Sequence, residues 1–154
     1  MTQRTDNGPV LFAYDGSEQA QAAIREAARQ LGSGRHGLVL SVWQPLAAFP
    51  FVGAAIGATA FEADFEREAM NVAEAGARLA RSVGFDATPL AVRGDPVWHS
   101  IVAAADEHAA SIVVMGSHGR TGVGLVLLGS VEATVVRHTD RPVLIVHAPH
   151  STSD

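Results

Sequence analysis

Between positions 116 and 130 the chain reads Gly116, two residues, Gly119, nine residues, Gly129, Ser130. Each of these residue types suits the binding of an anion. Gly116 and Gly119 let a backbone turn sharply and approach a ligand without a Cβ in the way. Their amides can gather into an anion-binding nest. Gly129 and Ser130 stand where a helix is expected to begin, so free amides and the helix dipole favour phosphate there. The Ser130 hydroxyl adds a donor, and Arg120 adds positive charge inside the loop. A Walker A loop is ruled out, because that motif needs Gly-Lys-Ser/Thr and the chain has no lysine. Glycines taken singly only shape turns; the full spacing, set between an apolar run and a helical pattern, points to phosphate.

A second candidate is Asp15-Gly16-Ser17, directly after the apolar run 9–14. Asp15 is either a cap of the following helix or turn, or an acceptor for a ligand. Ser17 reads as an N-cap rather than a nucleophile. The seven histidines, at 36, 99, 108, 118, 138, 147 and 150, form no His-Glu-x-x-His pattern. His118 lies inside the glycine loop, and His147 and His150 fall at a strand end and in the tail, a poor zinc pair.

These segments need elements to hold them. Apolar runs at 9–14, 37–43, 111–115 and 142–147, with a more polar one at 86–93, read as strands. Helical spacing links Ile24, Ala27, Ala28 and Leu31. It also links Phe61, Phe65, Val72, Leu79 and Val83, and again Val97, Ile101, Val102 and Ala105. Asp95-Pro96 reads as a helix start, with Asp95 capping and Pro96 in the first helical position. A last helix runs from Gly129-Ser130 to about His138. Strict alternation of strand and helix predicts an α/β fold, with a parallel five-stranded sheet between two helical layers. In such sheets ligands sit beyond the carboxyl ends of the strands where the winding reverses. If the first and fourth strands are neighbours, the turn at Asp15 and the loop from Gly116 face each other across one crevice.

The whole chain narrows the options further. Its 154 residues suit one domain, with a core over about 8–148. With no cysteine, disulfides, thiolate zinc sites and thiol catalysis are excluded. The net charge is −5 and the eleven basic residues, all Arg, are dispersed, which argues against nucleic acid as a partner. Residues 1–8 are polar and lack the apolar stretch of a secretory leader, and the lack of cysteine is compatible with a reducing cytosol. Residues 38–61 are uncharged, but Pro45, Pro50, Gly53 and Gly57 oppose a membrane helix. The loop 44–60 carries Phe49, Phe51, Val52 and Ile56, suited to a lid, a partner patch or packing over the sheet end. The tail from 148 is polar.

The quoted segments resemble the universal stress protein family. The match lies in Gly116-Ser117-His118-Gly119-Arg120-Thr121-Gly122, Leu127-Leu128-Gly129-Ser130-Val131, Arg137-His138 and Pro142-Val143-Leu144-Ile145-Val146. Ala13-Tyr14-Asp15-Gly16-Ser17, Arg93-Gly94-Asp95-Pro96 and Ile112-Val113-Val114-Met115 extend it over nearly the whole chain. The glycine-serine pattern is that of the ATP-binding branch. The resemblance implies an adenine nucleotide α-hydrolase-like (Rossmann-like) fold with strand order 3-2-1-4-5. It implies that Asp15 meets adenosine, that the backbone near Val42 meets the adenine edge and that Met115 lies beside the ribose. Gly116, Gly119, Gly129, Ser130 and the adjoining Val131, with Arg120, would hold the phosphates of ATP, accompanied by Mg2+ or Mn2+. It further implies a homodimer formed through Val143 to Val146 and a cytoplasmic role in stress response or signalling.

Two features depart from the family pattern. The spacer between Gly119 and Gly129 carries no basic residue at its middle, where Val123-Gly124-Leu125 stand, and Glu132 occupies a position where a small residue is common. Glu132 suits the helix dipole but opposes phosphate. No catalytic set is placed by sequence, so any ATP hydrolysis is expected to be slow. One rival reading is a nucleotidyl or adenylyl transferase or hydrolase of the same fold group. It would need its own signature after the first strand, and Tyr14-Asp15-Gly16-Ser17 does not supply one. The other rival is an interaction module that keeps the fold without nucleotide.

Overall fold

A computed structural model of the protein describes residues 7–44, 62–94, 96–117 and 130–148. In chain order these form β1 (Val10–Ala13), α1 (Glu18–Leu31), β2 (His36–Trp43), α2 (Glu62–Ser82), β3 (Asp86–Arg93), α3 (Val97–Glu107), β4 (Ile112–Gly116), α4 (Ser130–His138) and β5 (Val143–Val146). The five strands make one sheet in the order β3-β2-β1-β4-β5, every pairing parallel. The order expected from the resemblance is therefore the order found. The winding runs outward from β1 to β3, then restarts at β4 on the other side of β1.

The strands are apolar on both faces because helices cover both. On one face Val10, Phe12, Tyr14, Val39 and Val114 pack with Ala20, Ala23, Ile24 and Ala27 of α1 and Ala77 and Ala80 of α2. On the other, Leu11, Leu38, Leu40, Val113 and Met115 pack with Ile101, Ala104 and Ala105 of α3 and Val135 of α4. The two-residue alternation within each strand sorts its side chains between these layers. At the amino ends of the strands, Arg35 donates to the Ser111 hydroxyl at 2.7 Å, and that hydroxyl donates to the Pro9 carbonyl at 3.3 Å.

Two helices differ from the sequence reading. The buried stripe of α2 is Ala69, Ala73, Gly76, Ala77 and Ala80, whereas Phe65, expected on the inner face, is exposed. Small residues let the helix axis lie close to the sheet. A Cβ on Gly76 would stand 2.7 Å from both the Tyr14 ring and the Val39 side chain. At α3, Pro96 is the N-cap residue, extended at φ −79° and ψ 162°, and Val97 takes the first helical position. The helix thus starts one residue later than expected. Proline's fixed φ suits the extended cap as well as the first turn. Asp95 lies outside the described residues, as do all but Gln44 of the loop 44–60, Phe61 and the tail beyond Ala148. Among the described residues no helix is long and apolar enough to cross a membrane.

Candidate functional site

A cleft of about 300 Å3 opens at the carboxyl end of the sheet, where the winding reverses between β1 and β4. Its floor is a row of side chains in register. Ala13 of β1 pairs with Leu40 of β2 on one side and with Met115 of β4 on the other. All three line the cleft together with Val42, one repeat further along β2. Val97 and Ile101 of α3 and Val131 of α4 supply a wall. The small Ala13 between two large neighbours leaves room above the row. The result is a largely apolar chamber near the lower end of the ~300–1,000 Å3 range of small-molecule sites.

The polar rim comes from the turn after β1. Gly16 sits at φ +83°, a conformation that favours glycine, and turns the chain from strand to helix. The Asp15 carboxylate accepts the Ser17 amide at 3.0 Å, and the Ser17 hydroxyl accepts the Ala20 amide at 3.2 Å as the N-cap of α1. Ser17 is therefore a cap, as the sequence implies. Asp15 braces the turn while its side chain stays exposed on the cleft rim. The starts of α1, α3 and α4 all reach this cleft, through Ala20, Val97 and Val131. Their dipoles make the region favourable to negative charge. The Tyr14 ring packs on the opposite face of the sheet, against Gly76 of α2. Burial first, and the neighbouring negative charge of Asp15 second, hold its phenol above its ordinary titration range, against a smaller opposing effect from Arg25.

The structure brings together Asp15, Val42, Met115, Gly116 and Val131 around this one cleft. Ser130 is exposed at the first position of α4, next to Val131. Gly119, Arg120 and Gly129 lie outside the described residues, as does His118. The part given to Gly116 in the sequence reading needs correction. It is no turn: it closes β4, paired with Val146. A Cβ there would stand 2.5 Å from the Gln19 carbonyl carbon and oxygen and 2.7 Å from the Ala20 nitrogen. Glycine at 116 admits the first turn of α1 onto the sheet end.

Sequence reasoning missed Ala13, Tyr14, Leu40, Val97 and Ile101 as cleft residues. Leu40 and Val42 share one face of β2 by the two-residue repeat, a signal available in the sequence. The row through Ala13 depended on strand register, which was not. Glu132 also lines the cleft and is only 2% exposed, although its side chain is a carboxyl.

A doubly wound parallel sheet with a ligand-sized cleft at its switch point places the protein among the Rossmann-like α/β folds. Within that class the chain belongs to the universal stress protein family, whose family model matches residues 7–147. A universal stress protein of Thermus aquaticus, described as lying in the QAH/OAS sulfhydrylase 3'region, is 31% identical over 140 residues, covering 89% of this chain and 96% of the relative. The Methanocaldococcus jannaschii universal stress protein MJ0577 is 37% identical over 84 residues, so that alignment spans 54% of this chain and about half (51%) of the relative. In the solved structure of MJ0577 the fold superposes with a TM-score of 0.76 at 27% identity, covering 96% of this chain and 100% of that one. The fold is also shared with the universal stress protein of Archaeoglobus fulgidus in complex with dAMP, at a TM-score of 0.64, 24% identity and coverage of 90% and 97%.

Proposed function

We propose that this protein is a nucleotide-binding regulatory module that takes ATP with a divalent cation in the cleft between β1 and β4. The observation that carries the reading is the convergence of the Leu40–Ala13–Met115 floor with the starts of three helices at the switch point. The apolar floor suits an adenine ring. Val42, at the end of β2, offers backbone at its edge, and Asp15 stands on the rim as an acceptor for ribose hydroxyls. The helix starts, Gly116 and Ser130 and, from the sequence, Gly119, Arg120 and Gly129, suit the phosphates. The dAMP complex of the Archaeoglobus fulgidus protein, which has the same fold, is in keeping with this reading.

Among the described residues no group of three or more His, Asp or Glu side chains is gathered to hold a metal. In this reading a Mg2+ or Mn2+ ion accompanies the phosphates of ATP. The same reading makes the protein a homodimer paired through β5, whose four residues are half-buried at the sheet edge. It places the protein in the cytoplasm, with a stress-protective or signalling role and at most slow ATP hydrolysis.

The test is calorimetric titration of nucleotide-stripped protein with ATP and Mg2+, beside a Gly129→Ala/Ser130→Ala variant. Saturable binding that the double substitution abolishes supports the site. A folded, nucleotide-free protein that takes up no ATP overturns the reading and favours the interaction module.

A further inference from the structure

We infer that Trp98 and His138 are positioning residues of the cleft: their stacked rings tie α3 to α4, and this tie sets the wall that the two helices present to a bound base. The inference rests on the reading of this cleft as an adenine-nucleotide site.

The Trp98 and His138 rings lie with centroids 4.3 Å apart and planes 28° apart, a stacked pair joining the second residue of α3 to the last of α4. Such a pair contributes a factor of roughly two to ten to an equilibrium. Each ring has a further contact that orients it. The His138 Nδ1–H donates to the Thr134 carbonyl at 2.8 Å, one turn back along α4. The His99 ring meets Trp98 edge-on, with centroids 5.6 Å apart. Trp98 is half-buried and packs on the same core layer as Val97 and Val131, whereas His138 is exposed, so its ring is not core packing.

The same two helices wall the cleft, through Val97 and Ile101 of α3 and Val131 of α4. Trp98 follows Val97 directly and is a surface neighbour of Ile101, three residues on. The first turn of α3 begins at Pro96, whose side chain makes no capping hydrogen bond. The Ser100 hydroxyl donates to the Arg93 carbonyl at 3.1 Å, which ties the turn to β3 but not to α4. The stack supplies that second tie, and so holds Val97 and Ile101 at a set distance from Val131. Without it the turn is free to move off α4, and the apolar wall loses contact with a flat base. Linkage demands the converse: a base that needs the wall in place strengthens the stack by the same factor. A stack that served stability alone would shift the unfolding midpoint and leave the affinity of the folded protein unchanged.

The experiment uses the full chain, stripped of nucleotide, and titrates adenosine calorimetrically well below the unfolding transition. Adenosine separates the base and ribose from the phosphate groups. His138→Ala removes the ring; His138→Phe keeps a flat ring and drops both imidazole nitrogens. Adenosine should bind about three- to tenfold more weakly to His138→Ala, and to His138→Phe within about twofold of the natural affinity. Trp98 gives a second readout. The chain has two tryptophans, so Trp43→Phe leaves Trp98 as the only indole. Saturation with adenosine should then shift Trp98 emission, and His138→Ala should remove most of that shift. Unchanged affinity in His138→Ala overturns the inference. So does an equal loss in both variants, which assigns the effect to the Thr134 hydrogen bond. If His138→Ala does not fold, Trp98 emission that adenosine leaves unmoved overturns it instead. A folded protein that binds no adenosine sinks the nucleotide reading and this inference with it; binding that ignores the stack sinks this inference alone.

Discussion

Gly116 and Gln19 lie so close that a Cβ on the glycine would stand 2.5 Å from the Gln19 carbonyl oxygen. That oxygen belongs to the first turn of α1, which the Ser17 cap holds in place. Neither the turn nor the end of β4 can yield without breaking backbone hydrogen bonds. Gly116→Ala should therefore destabilise the protein by about 1–3 kcal/mol, the usual cost of overpacking. Urea unfolding of the nucleotide-stripped protein checks this. A loss seen without ligand assigns Gly116 to packing; unchanged stability would mean that its role is only to admit a nucleotide.

Tyr14 is the only tyrosine in the chain, so its titration has a clean optical signal. Burial and Asp15 raise its pKa in the folded state above the value of about 10 that an unfolded chain shows. The folded protein then keeps a proton that the unfolded chain has already lost. The contribution to stability is complete below about pH 10 and is lost as pH rises from there through the folded-state value. The phenolate absorbance of the folded protein should appear at higher pH than that of the urea-unfolded protein. Coincident titration curves in the two states would contradict this.

Element order and layering were legible in the sequence because both follow from local pattern. The runs around Val10, Val39, Val113 and Leu144 are apolar on both faces, and the helical stretches between them show their spacing plainly. The two-sided parallel sheet then follows from alternation. The mistakes arose where tertiary packing outweighed that pattern. Phe65 fits the helical stripe of α2, yet the sheet is met by Ala69, Ala73 and Gly76, since only small side chains allow so close an approach. Gly116 was assigned to a turn because glycines punctuate loops, whereas its neighbour across the gap is a helix 97 residues earlier in the chain, at Gln19. The rim residue Asp15 could be found from its position after a strand. Ala13 could not, because its importance lies in its two register partners, Leu40 and Met115.

The open edge of β5 makes a separate prediction. The carbonyls of Pro142 and Val146 accept from Val113 and Ser117 on the β4 side, each at 2.9 Å. By the two-residue repeat, the backbone groups of Ile145 face away from β4, toward the unpaired edge. Proline at 145 removes an outward N–H and spares the ladder to β4. If a second copy pairs along this strand, Ile145→Pro should convert a dimer into a folded monomer in sedimentation equilibrium. A dimer that survives the substitution places the interface elsewhere, and a natural protein already monomeric at working concentration removes the pairing altogether.

Ala13 offers the most direct test of the cleft, since the change is confined to its floor and touches none of the groups proposed to hold phosphate. Its methyl lies between Leu40 and Met115 in the row beneath the chamber, and the residue is only half-buried. Ala13→Leu should project three further carbons into the open space rather than into packed core. The overpacking cost ought then to fall at or below the low end of the usual ~1–3 kcal/mol. The same carbons occupy the space that an adenine ring would take, so affinity for adenosine and for ATP should fall together, by about tenfold or more, equivalent to about 1.4 kcal/mol. Calorimetry with both ligands, read beside a urea unfolding curve, distinguishes the outcomes. A stable Ala13→Leu protein that binds both ligands as before would move the base away from the Leu40–Ala13–Met115 row, and with it the site from this cleft.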